Sequence, residues 1–180
     1  MPDLLRALLE FENAYIHNQF ITTYNVDCFS RNNYLHWFGE EFAANFIVFA
    51  HDYDSNYYGY WLYGDRTIEN APIVLLHHEG GGSVIANSLP DFLCMTAIGA
   101  FKYQYGGQDY GKVTYPIEES DNDWTQLYDE LPNWYHYHHW LTSVACLALP
   151  SVQEARQMFS SAQQSHPKLE EWWDLDESDR

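Results

Sequence analysis

"PIVLLHHEGGGSVIANSLPDFL", residues 72–93, decides the fold, because its histidines, glutamate and glycines read either as a ligand site or as a turn between strands. Pro72 stands where a strand tolerates it, and Ile73, Leu75 and His77 alternate with Val74, Leu76 and His78, which predicts a strand over 72–79. On a strand, His77 and His78 point to opposite faces and cannot chelate one ion. Gly80, Gly81 and Gly82 supply the positive φ angles of a short hairpin loop, and a second strand returns over 83–87. No Lys-Ser or Lys-Thr follows the glycines, and the next element is a strand, so a P-loop is excluded. Ser88 with Asp91 then forms a capping-box-like start, with Pro90 tolerated in the first turn. The helix is predicted from Leu89 to Phe101, buried through Phe92, Leu93 and Ala97.

Upstream, "NFIVFAH" from Asn45 is apolar on both alternating faces, as in an inner strand over 46–50, and "YYGYWLY" predicts another over 57–63. The turn formers of "HDYDSN" join them. Residues 3–19 place Leu4, Leu5, Leu8, Phe11 and Tyr15 at helical spacing, with Glu10, Glu12 and Asn13 on the other side, so an amphipathic helix packs on the sheet. Residues 21–41 leave room for a short strand. Downstream, 103–123 is a connection rich in Gly, Tyr and acids. "DWTQLYDELP" predicts a short helix with Trp124, Leu127, Tyr128 and Leu131 on one face. Residues 134–149 predict a longer helix ending at Pro150, and Ser151 with Glu154 is a capping box opening a helix through Gln164. The acidic tail docks by Trp172 or Trp173. The expected architecture is α+β: one domain over 1–180, with a mainly antiparallel sheet of four or more strands flanked by an N-terminal helix, and with 102–180 a helical extension.

Composition narrows the function. The 180 residues include 15 Tyr, 10 Phe and 7 Trp, ample surface for a folded core. Eight Lys and Arg against 26 Asp and Glu give a formal charge of −18, which disfavours nucleic acid and anionic membranes and favours a basic protein partner. Cys28, Cys94 and Cys146 are odd in number, widely spaced and set among apolar residues, as buried thiols in a reducing compartment are. The N-terminal stretch lacks the basic start and cleavage site of a signal peptide, so a cytoplasmic location is expected.

Sites with chemistry are sparse. His136 and His139 share a helical face, and with a nearby carboxylate would make a metal-dependent hydrolase, but no HEXXH run or Glu-x-x-His pair accompanies them. His138 points across that helix. No Gly-x-Ser-x-Gly elbow exists. Tyr58, Tyr60, Trp61 and Trp124 could stack on a glycan, although core packing is the commoner use of such residues. No catalytic residue, metal or cofactor is therefore assigned. The remaining feature is "IEESDNDW", where Glu118, Glu119, Asp121 and Asp123 stand beside Trp124, with no lysine or arginine from Thr114 to Leu149. An aromatic anchor with a charged rim makes these five the expected partner-binding residues.

The order "FIVFAHDYDSNYYGYWLY" and then "APIVLLHHEGGGSVIANSLPDFL" resembles the SUKH superfamily, which holds yeast cell-wall assembly regulators and bacterial toxin-immunity proteins. The likeness covers roughly residues 40–100: a strand at Phe46–Ala50, an aromatic strand at Gly59–Tyr63, a strand opening near Pro72, and a short strand running into Ser88–Leu93. The chain departs from the family at "NAYIHNQF" and in its C-terminal helices. The resemblance implies a non-enzymatic binding protein that occupies a toxin domain, and the acidity suits a basic, nuclease-like toxin. A regulatory protein-binding scaffold is the alternative of the same kind.

Overall fold

The computed structural model describes residues 3–15, 22–23, 40–51, 56–78, 80–99, 102–103, 113–114 and 133–173. Its centre is an antiparallel five-stranded sheet in sequence order: β1 (Thr22–Thr23), β2 (Phe46–His51), β3 (Tyr57–Trp61), β4 (Ile73–Leu76) and β5 (Gly82–Ala86). Described helices are α1 (Asp3–Tyr15), α2 (Glu40–Ala43), α3 (Leu89–Thr96), α4 (Asn133–Ser143), α5 (Val152–Ser165) and α6 (Leu169–Trp173). The α+β class and the antiparallel sheet are as the periodicity predicts. Within the expected connection, β6 (Lys102–Tyr103) pairs antiparallel with β7 (Val113–Thr114).

Alternation along the strands builds two cores. Ile47, Phe49, Tyr58, Tyr60, Ile73, Leu75 and Ile85 face Leu5, Leu8, Phe11, Phe92, Leu93, Tyr137, Trp140 and Leu141. Phe46, Trp61, Val74, Leu76 and Val84 face Ala162, Leu169 and Trp172 on the other side. All four β4 residues are therefore fully buried, as a strand covered on both faces requires. Two register shifts, at Val48/Ala50 and at Ile73/Val74, turn Ala50 and Ala86 to the same side as the preceding Phe49 and Ile85.

Helix α5 guards the open edge of β5. Gln163 Nε2 donates to the Val84 carbonyl and, at 2.9 Å, to Ser83 Oγ, so an edge strand that would otherwise present free backbone groups is capped by a side chain. Both capping signals hold. Ser88 Oγ accepts from the Asp91 N–H at 3.3 Å, and Ser151 with Glu154 makes the reciprocal box.

Several boundaries differ from the expectation. Helix α1 is described to Tyr15, and 16–19 lie outside the described residues; Glu12, expected on the outer side, is buried. Helix α3 stops at Thr96 rather than Phe101 because the Ile98 and Gly99 N–H groups both turn back to the Met95 carbonyl. Helix α4 stops at Ser143 rather than near Pro150. Val144 and Ala145 both donate to the Trp140 carbonyl, Leu147 reaches back to Leu141, and Cys146 adopts φ 55°. That turn leaves Cys146 exposed, against the expectation of a buried thiol. Cys94 is buried, its thiol pushed up to about 11 by burial and then by Asp91. Cys28 and the short helix over 123–132 lie outside the described residues.

Tyr60 contributes one unfavourable feature. Among the described residues its buried hydroxyl has no hydrogen-bond partner, and burial, followed by the charge of Glu69, pushes its pKa upward. An unsatisfied buried hydroxyl costs more than it returns. Tyr60→Phe is expected to raise the unfolding free energy by about 1 kcal/mol in urea titrations; a loss of stability would mean that the hydroxyl is satisfied in solution.

Candidate functional site

The turn after β4 is tighter than the alternation predicts. The strand ends at Leu76, the Gly80 N–H donates to the His77 carbonyl at 3.0 Å, and the His77 N–H donates to the Gly81 carbonyl at 3.1 Å. Gly80 and Gly81 have φ of 103° and 81°, the left-handed conformations that such a loop requires. Gly82 is instead the first residue of β5. His78 falls in the turn and escapes strand alternation, so the imidazoles do not diverge as expected: their centroids are 4.4 Å apart, tilted by 46°. Among the described residues no group of three His, Cys, Asp or Glu is placed to hold a metal ion.

On α4 the buried face is Tyr137, Trp140 and Leu141. Tyr137 Oη donates to the Leu93 carbonyl and lies 3.1 Å from Thr96 Oγ1, and burial, its largest influence, raises its pKa. His138 bonds the Ala97 carbonyl, and burial lowers its pKa. His136 and His139 are exposed; His139 stacks on Tyr135 and lies 3.3 Å from Ser143 Oγ. The helix thus docks α3 through His138 and Tyr137 while turning the other two histidines outward. Tyr58, Tyr60 and Trp61 are core residues, which removes them as a glycan platform. Glu118, Glu119, Asp121, Asp123 and Trp124 lie outside the described residues.

The structure assembles one polar cluster that the sequence did not announce. β3 and β5 both run antiparallel to β4, so they finish at the same end of the sheet. Tyr63 follows β3, Asn87 follows β5, and His166 is the C-cap of α5, where the chain leaves the helix in an extended conformation. Tyr63 Oη lies 2.8 Å from His166 Nδ1, and His166 Nε2 lies 3.0 Å from Asn87 Oδ1. Asn87 Nδ2 continues to Ser161 Oγ at 3.4 Å. The Arg66 guanidinium sits 4.1 Å above the Tyr63 ring, a cation–π placement. Desolvation first, and Arg66 second, hold the His166 imidazole below its usual range, which keeps the ring neutral near pH 7. Tyr63, Arg66 and His166 are half-buried. With the phenol and the imidazole 103 positions apart in the chain, no local spacing could have announced the pair.

No family profile, curated protein or solved structure matches the chain. No helix among the described residues is long and apolar enough to cross a membrane.

Proposed function

We propose that this chain is an intracellular binding protein rather than an enzyme, and that its partner is a basic protein, in the immunity sense a nuclease-like toxin domain that it occupies and neutralises. The observation that carries this reading is charge stoichiometry. With 26 carboxylates and 8 Lys and Arg, most acids have no cation in the chain to pair with. Among the described residues, the ion pairs Asp3 with Arg6 and Lys168 with Glu171 are local i,i+3 contacts between well-exposed side chains. A surface with so large an excess of one sign repels itself, and a Lys- and Arg-rich partner relieves that repulsion while being steered toward the surface. The resemblance of residues 40–100 to SUKH immunity proteins supports the same reading from the order of the elements.

The segment Glu118, Glu119, Asp121, Asp123 and Trp124 is proposed as the contact. Changing the four acids to E118Q, E119Q, D121N and D123N is expected to slow association with a basic toxin domain by about tenfold at low salt and to flatten the salt dependence, with thermal stability unchanged. A large secreted protein with a variable C-terminal domain encoded in the neighbouring reading frame would support this reading and supply the toxin domain to test. Stopped-flow binding that proceeds at the wild-type rate in low salt would place the interface elsewhere.

A further inference from the structure

A hydroxyl attacks an electrophile only if its proton can be taken up, so a reactive oxygen needs a base at hydrogen-bond range and a group that fixes that base's tautomer. The cluster at the end of β3 has these parts. The Asn87 amide oxygen only accepts, so His166 Nε2 carries the ring proton, and Nδ1 turns its lone pair to the Tyr63 hydroxyl 2.8 Å away. The neutral imidazole is therefore the form that faces the phenol.

The remaining part is the Arg66 guanidinium. Arg66 lies over the Tyr63 ring, and among the described residues its buried Nε has no hydrogen-bond partner and no carboxylate pairs with it. In a chain where acids outnumber Lys and Arg by 26 to 8, an unpaired guanidinium is unexpected. Its planar donors suit the oxygens of a phosphoryl group, which they would hold beside the tyrosine oxygen.

We propose that Tyr63 is a covalent acceptor site for phosphoryl electrophiles, with His166 as its base, Asn87 as the positioning residue for that base and Arg66 as the clamp on the phosphoryl oxygens. The Tyr63 oxygen forms a new bond to phosphorus, and the bond from phosphorus to its leaving group breaks, the group departing with the electron pair. The phenolic proton passes to His166 Nδ1 and then to solvent. No oxidant or reductant is involved. The site makes the protein a substrate for modification and stands apart from the partner reading, which does not use these residues.

The test is labelling of the full chain with an alkyl phosphonofluoridate, from which fluoride leaves, followed by mapping of adducts by mass spectrometry. Tyr63 is expected to react at least about tenfold faster than Tyr135, although Tyr135 is 63 % exposed. His166→Gln and Arg66→Met should each slow labelling by about tenfold or more, and Arg66→Lys should restore part of the rate. Asn87→Ala should slow it while Asn87→Asp, which keeps an acceptor for Nε2, retains it. Far-UV circular dichroism accompanies each variant. A purely structural hydrogen-bond chain predicts Tyr63 reacting no faster than Tyr135 in the wild-type protein, and that result alone overturns the proposal even where a variant fails to fold. Wild-type labelling rates in folded His166→Gln would overturn it as well.

Discussion

Trp172→Ala is expected to lower the unfolding free energy by about 3–5 kcal/mol and the melting temperature by about 10 °C. The indole is buried on the second face of the sheet, 5.3 Å from Trp61 in an edge-to-face arrangement at 80°, with Phe46 and Phe42 also edge-on at 6.2 and 6.0 Å. Removing it leaves a cavity lined by strands that α5 and β4 hold in place, so the site collapses poorly. Trp173, half-buried and tilted against Phe42, is the internal comparison: Trp173→Ala should cost roughly half as much or less. Equal effects in guanidinium titrations would show that α6 is a loosely docked tail and that the second core ends at the sheet. The contrast also answers which tryptophan docks the C-terminal segment, a choice that composition alone left open.

How much could be read in advance follows from the range of each signal. Strand alternation is local, and it placed β2 to β5 within a few residues, including the sorting of Ile73 and Leu75 away from Val74 and Leu76, although it did not separate Trp61 from Tyr58 and Tyr60. Capping chemistry is local too, and Ser88 and Ser151 open their helices as expected. Helix ends were less legible, because α3 is stopped by a backbone turn onto Met95 several residues before the predicted end, and α4 by one onto Trp140 that no Gly or Pro marks. Burial of α5 between the two cores was not legible, since "VQEARQMFSSAQQS" offers little apolar surface and its buried residues are Val152 and Ala155 in the first core and Ala162 in the second. The Tyr63–His166–Asn87 cluster depends wholly on where strands β3 and β5 end. His77 and His78 show the opposite case: strand alternation ends at Leu76, and at His77 the chain has already begun to reverse.

Gly82→Ala is expected to destabilise the protein by about 3 kcal/mol, and the reason differs from that of its neighbours. Gly80 has φ 103° with open space where a Cβ would stand, so Gly80→Ala carries a conformational cost of about 1–2 kcal/mol and little else. At Gly82 a Cβ would lie 2.5 Å from the Leu75 carbonyl oxygen on the paired strand and 2.9 Å from Leu169 Cδ2. A side chain can retreat, but a carbonyl held in the β4 ladder cannot, so either β5 shifts against β4 or α6 is pushed outward. Truncating the helix partner separates the two strains. If the carbonyl clash dominates, the Gly82→Ala and Leu169→Ala double variant is nearly as unstable as the sum of the single variants, and removing the Leu169 isopropyl group from α6 rescues little. If the helix contact dominates, the double variant recovers most of the loss, with a coupling of about 1 kcal/mol or more. The carbonyl is the nearer atom and the less mobile one, so near-additivity in the double-mutant cycle is the expected result, and strong rescue would show that α6, rather than the strand pairing, is what confines this position to glycine.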